Sequence, residues 1–186
     1  MSSLAAQSPA EGLPPAPACK GLVLRVATPT TLLAIGGRAK DKAFAKAIET
    51  ALGLTLPTPQ AFSGQDPALL WQGPGRWLLQ CETEGSDAAA ALRKALGPEA
   101  ALSDVTDGLF AIDLEGPDWR ALLSQGTSLD LSAGALPPGA SAVTRFADLS
   151  VTLMMRSDDR VRLLSERAGR GYLWAWLCQA AENLTQ

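Results

Sequence analysis

From residue 21 onward, glycine and proline cut the chain into short apolar segments whose period switches between about 2 and about 3.6. That switching leaves few folds open. LVLRVATPTTLLAIGG (22–37) alternates as two short strands. AKDKAFAKAIETALG (39–53) then places Phe44, Ala47, Ile48, Ala51 and Leu52 on one side of a helix and ends on Gly53, suited to the left-handed position past a helix. ALLWQGPGRWLLQC (68–81) reads as a hairpin turning on Gly73-Pro74-Gly75, and Ser86 as the cap of a helix that ends at Gly97. ALSDVTDGLFAIDLEG (101–116) reads as a strand pair turning at Asp107-Gly108, and Pro117 opens a short helix that stops at Gly126. Residues 141–167 read as further strands with turns near Ala147-Asp148 and Ser157-Asp159, and a last helix covers about 169–184.

The rhythm is strand-strand-helix throughout. It predicts an α+β protein of tandem ββαββα halves, residues 21–97 and 101–186, with mainly antiparallel sheets and helices on one face. A Pro/Gly crossing at Leu136-Pro137-Pro138-Gly139 interrupts the second half. Ahead of both lies an arm, residues 1–20, in which Pro9, Pro14, Pro15 and Pro17 forbid helix and favour an extended path.

Composition narrows the function. The chain of 186 residues has no histidine, so a Ser-His-Asp or Cys-His site and an HExxH zinc helix are all excluded. Cys19, Cys81 and Cys178 are scattered and never form CxxC, which gives no zinc or iron–sulfur spacing and suits a reducing, cytoplasmic setting. A formal charge of −3 offers no field for nucleic acid. No apolar run approaches a membrane span, and the first 19 residues hold no Lys or Arg to begin a secretory signal.

The remaining candidates are modest. Gly36-Gly37 and Gly73-Pro74-Gly75 match no phosphate loop and read as turns. Asp104, Asp107, Asp113 and Glu115 cluster in sequence, and alternation sets Asp113 and Glu115 on one strand face. They are either acid/base partners, if buried together, or the wet face of an amphipathic strand. Five tryptophans against one tyrosine are more telling: Trp71, Trp77, Trp119, Trp174 and Trp176. On the last helix, Leu173, Trp176, Leu177, Ala180 and Leu184 form one stripe, and Trp174, Cys178 and Ala181 a second beside it. The combined arc of roughly 200° is wider than the ~100° a helix buries on its own sheet. Either the helix is sunk deep in its own domain, or it is sandwiched against a partner. The five tryptophans and Cys178 are therefore the candidate partner interface.

Several phrases in fixed order resemble the gamma subunit of heterotetrameric sarcosine oxidase: WQGPGRWLL (71–79), DVTDGLFAIDLEGPDWRALLSQGTSLDL (104–131), LPPGASAVTRF (136–146) and GYLWAWL (171–177). The strand-helix series is similar, more distantly, to the folate-binding fold of glycine-cleavage aminomethyltransferases. The resemblance implies a non-catalytic structural subunit of an alpha-beta-gamma-delta complex that oxidatively demethylates sarcosine to glycine and passes the one-carbon unit to tetrahydrofolate. It implies direct contact with the large alpha subunit, and FAD, FMN, NAD, zinc and tetrahydrofolate held by other subunits, none by this chain. Two alternatives stay open: a stand-alone folate-binding, aminomethyltransferase-like protein, and the gamma-type subunit of a related amino-acid oxidase or dehydrogenase complex.

Overall fold

The computed structural model describes residues 8–83, 87–97 and 100–184; Ser86, expected as a helix cap, lies outside them, as do residues 1–7 of the arm. Among the described residues, ten strands and four helices follow in the order β1 (Val23–Ala27), β2 (Thr31–Gly36), α1 (Lys42–Leu52), β3 (Phe62–Gly64), β4 (Ala68–Gly73), β5 (Arg76–Cys81), α2 (Ala88–Leu96), β6 (Ala101–Asp104), β7 (Leu109–Glu115), α3 (Trp119–Leu123), β8 (Ser141–Phe146), β9 (Leu149–Ser157), β10 (Arg160–Glu166) and α4 (Arg170–Leu184). Local chemistry explains several boundaries. The Asp41 carboxylate accepts from Ala43 N and opens α1, and Gly53, at φ 66°, closes it. Ala147 and Asp148 both have positive φ, which is the tight hairpin geometry that matches strand twist between β8 and β9.

The strands form two five-stranded antiparallel sheets, ordered β1-β7-β10-β9-β8 and β3-β4-β5-β2-β6. The expected pairs at 22–37 and 101–116 are strands, but neither closes as a hairpin. Each connection crosses from one sheet to the other. Thr30 anchors the first crossing, its amide donating to Cys81 O at 2.9 Å. Thr106 anchors the second: its hydroxyl accepts from Leu32 N at 2.9 Å and donates to Asp104 Oδ1 at 2.7 Å. The first strand of each half is thus lent to the sheet of the other half. Read as first, second, fifth, fourth and third strand of a half, the two sheets have the same order, with β1 and β6 exchanged.

Period-two alternation then sorts the side chains into layers. In β7, Phe110, Ile112 and Leu114 pack outward under α3 and α4, while Ala111 points at the other sheet. In β2 and β5, Leu33, Ile35, Leu79 and Cys81 pack under α1 and α2, while Leu32 and Leu78 point inward. The result is helix, sheet, sheet, helix. At one edge the sheets are joined, because Phe62 N donates to Gly139 O at 3.1 Å and Ala61 bridges Ala140. The two glycine loops also meet. Gly37 N donates to Gly75 O at 3.0 Å, and a Cβ on Gly75 (φ 69°) would stand 2.7 Å from Gly37 O, so that contact requires glycine.

Trp119 carries much of the outer core beneath α4. It is 0% exposed, its Nε1 donates to Asp158 O at 2.9 Å, and the Arg120 guanidinium lies over its ring, 4.3 Å from the centroid. Trp119→Ala should therefore cost about 3–5 kcal/mol in urea unfolding. Arg145→Ala, which removes one side of an ion pair that is 77% and 83% exposed, should stay within about 0.5 kcal/mol.

Candidate functional site

The inner faces of the two sheets pack along a central apolar strip, and two clefts lie between the sheets beside it. The smaller cleft, about 350 Å³, is filled with charge. Alternation places Asp113 and Glu115 of β7 on the inner face, and register sets Arg162 opposite Asp113 and Arg160 opposite Glu115. Arg162 donates from Nε and Nη2 to the two Asp113 oxygens at 2.6 and 2.7 Å, a planar two-point pairing. Its Nη1 reaches across to Glu82 of the opposite sheet at 2.9 Å, where Arg156 adds a contact at 2.5 Å. Arg160 lies 3.1 Å from Asp113 and 3.2 Å from Glu115. Asp66 completes the corner, accepting from the amides of Glu82 and Thr83 at 2.8 and 3.0 Å.

These contacts decide what the carboxylates can do. Burial alone would raise the Asp113 pKa, but hydrogen bonds and charge from Arg162, with those from Arg160, outweigh it and hold the group below the usual carboxylate range. For Arg162, burial likewise works against the charge and is outweighed by Asp113 and Glu82. An acid held ionised by two arginines is suited to clamping the sheets, not to exchanging protons near pH 7. The wet-face expectation for Asp113 is corrected here: its face is covered by the second sheet, and its side chain is 7% exposed. Glu115 is half-buried on the same face, Asp107 is exposed, and Asp104 is held low by the Thr106 amide and hydroxyl at the sheet crossing.

The larger cleft, about 680 Å³, has an apolar floor that includes Ala34, Leu78 and Leu164. Gln72 and Thr152 form part of its wall, joined by a 2.9 Å hydrogen bond from Thr152 Oγ1 to Gln72 Oε1. The Gln72 amide nitrogen is buried and has no hydrogen-bond partner among the described residues.

The tryptophans do not gather in one place. Trp77 packs under α1 against Phe44, with ring centroids 5.3 Å apart, and Trp119 lies beneath α4. Trp71 is half-buried beside the Trp77 core. Trp174 is buried, and what covers it is the chain's own arm: Trp174 Nε1 donates to Pro14 O at 2.8 Å, and Arg170 Nη2 to Glu11 O at 3.4 Å. Cys178 and Cys19 pack against the same core beside it. The second stripe of α4 is thus roofed by residues that sequence periodicity could not place there. Trp176 remains half-buried, edge-on to Phe146 with centroids 4.8 Å apart, next to Tyr172, which is 50% exposed. Nothing local marks the arginines of the clamp, since Arg160 and Arg162 look like the wet side of a strand until the second sheet is in place.

A family model described as "Sarcosine oxidase, gamma subunit family" matches residues 36–183. The chain belongs to that family. Among solved structures, a chain of heterotetrameric sarcosine oxidase from Corynebacterium sp. U-96, determined in complex with pyrrole 2-carboxylate, aligns with a TM-score of 0.88 at 24% identity, covering 97% of each chain. The glycine cleavage system aminomethyltransferase T from Bartonella henselae aligns with a TM-score of 0.61 at 16% identity, over 89% of this chain but 50% of that one. No curated protein sequence matches significantly. The fold of this gamma-family chain is therefore the α+β arrangement expected from its strand-helix rhythm, shared with the sarcosine oxidase chain and with part of the aminomethyltransferase.

Removing one side of the clamp should be costly. Asp113→Ala leaves Arg162 buried without its principal partner and should destabilise the gamma-family chain by about 3–5 kcal/mol in urea, whereas Asp113→Ala with Arg162→Leu should cost less than the two single changes summed. A carboxylate with a depressed folded pKa contributes stability that is complete above its unfolded value, about 3.9, and lost as pH falls through the folded one. The urea midpoint should accordingly be flat from about pH 5 to 8 and fall below about pH 4. The double variant should show a shallower fall.

Proposed function

We propose that this chain is the structural, non-catalytic gamma subunit of a cytoplasmic heterotetramer that oxidatively demethylates sarcosine to glycine and transfers the one-carbon unit to tetrahydrofolate. The observation that carries this reading is the gamma-family match over residues 36–183. In it the large alpha subunit is the direct contact, with beta and delta in the same assembly. FAD, FMN, NAD, zinc and tetrahydrofolate sit on those other subunits. The donor set of this chain fits such a division. It has no histidine, the commonest protein ligand for metals.

The surface also fits. Tyr172 and Trp176, both inside the GYLWAWL segment, stand at a shallow recess beside Gly126, Thr127 and Ala147. An exposed aromatic beside a half-buried one is the usual material of an interface anchor. Trp174 and Cys178, by contrast, spend their surface on the arm. The half-buried Trp71 is a second contact point on the α1 side.

The test is co-expression with candidate alpha, beta and delta chains, followed by affinity recovery and sarcosine-dependent oxygen uptake. The full set should yield an active flavin-containing complex in which this chain is stoichiometric. A lone chain that oxidises sarcosine, or an active complex that forms without it, overturns the reading. Tight tetrahydrofolate binding by the lone chain would favour the stand-alone aminomethyltransferase-like alternative. Tyr172→Ala should reduce recovery of the complex while leaving the melting temperature of the free chain within about 2 °C, as expected of an exposed position.

A further inference from the structure

The two clefts occupy equivalent places in the two halves. Arg160 opens β10 beside a bulge, opposite Glu115 on one side and Ser157 on the other; Arg76 opens β5 beside a bulge, opposite Gly36 and Gly73. Stepping along that register, Asp113 corresponds to Ala34 and Arg162 to Leu78. Arg156 corresponds to Gln72, each lying one residue before the partner of the bulge arginine. Of the charged residues that fill the small cleft, its counterpart keeps the bulge arginine, as Arg76, and the acid of the opposite sheet, as Glu166. Both carboxylates of β7 are replaced, by Ala34 and Gly36, and the cleft is about 680 Å³ where the clamped one is about 350 Å³.

Arg76 is left exposed at the mouth, with no ion pair or hydrogen bond among the described residues, while its counterpart meets two carboxylates. We infer that the larger cleft is a binding site for a small carboxylate with a flat apolar body, whose anion takes at Arg76 the place that Asp113 and Glu115 take at Arg160. The size falls within the usual range for small-molecule sites. A slot between two stacked sheets favours a planar body, and its floor of Ala34, Leu78 and Leu164 favours an apolar one. Glu166, also lining the cleft as the counterpart of Glu82, disfavours a second anion. The clamp shows that an arginine at this position holds carboxylates when they are supplied.

The experiment titrates the full chain with 2-naphthoate by calorimetry and ligand-observed NMR, with 2-naphthamide as the neutral isostere. Naphthoate should bind about tenfold tighter than the amide, the difference expected of one charge-assisted contact. Arg76→Met should erase that difference with no change in the urea midpoint, because Arg76 is exposed and unpaired. Ala34→Asp, which restores the carboxylate of the other half, should compete for Arg76 and weaken naphthoate by a similar factor. Equal affinity for acid and amide, undiminished binding to Arg76→Met, or no binding at millimolar naphthoate each overturns the proposal. So does binding to the free chain that vanishes in the co-expressed complex, which would make the cleft a seat for a partner subunit.

Discussion

Two five-stranded sheets meet through a narrow strip in which Leu32, Leu70 and Leu78 of one face Ala111, Met154 and Leu164 of the other. Strips of this kind supply attraction but little direction, since apolar contact is nearly isotropic. Direction comes from the Arg162 fork, which ties Asp113 within its own sheet and Glu82 across the gap. The side chains of Arg162 and Asp113 are 3% and 7% exposed, so the desolvation cost is real and is offset by near-ideal two-point geometry. Taking charge into the interior here adds a directional tie between the layers that apolar contact alone lacks.

The outer layers follow from that arrangement. Because one face of each sheet is committed to the other sheet, α1 and α2 must cover one outer face and α3 and α4 the other. Helix α4 then has a second apolar stripe left over, and the proline-rich arm closes it. An extended segment without its own hydrogen-bonded structure suits this use, since Pro14 can present its carbonyl to the Trp174 indole with no strand ladder to satisfy.

Much of this architecture was legible in the residues. Period and punctuation located the helices, the β4–β5 hairpin at Gly73-Pro74-Gly75 and the β8–β9 turn at Ala147-Asp148, because those are set by neighbours in sequence. Partners were not legible. Nothing local distinguishes a strand that turns back on itself from one that crosses to another sheet, so β1 and β2 read as a pair although Arg25 sits opposite Asp113. The same limit hid the clamp. Alternation put Asp113 and Glu115 on one face correctly, but whether that face is wet depends on a second sheet built from residues 31–81 and 101–104. The arm was opaque for another reason: its anchor joins residues 160 positions apart.

The reciprocal loan of β1 and β6 also dictates an order of assembly. As the chain leaves the ribosome, β1 emerges early, yet the strand it pairs with, β7, ends only at Glu115, and that strand's other neighbour, β10, follows at Arg160–Glu166. The first apolar strand must wait through most of synthesis with its edges bare. Long-range pairing of this kind is slow, and an unpaired edge is open to wrong partners meanwhile. The exchange that knits two halves into one body therefore also makes the nascent chain unable to complete either half by itself.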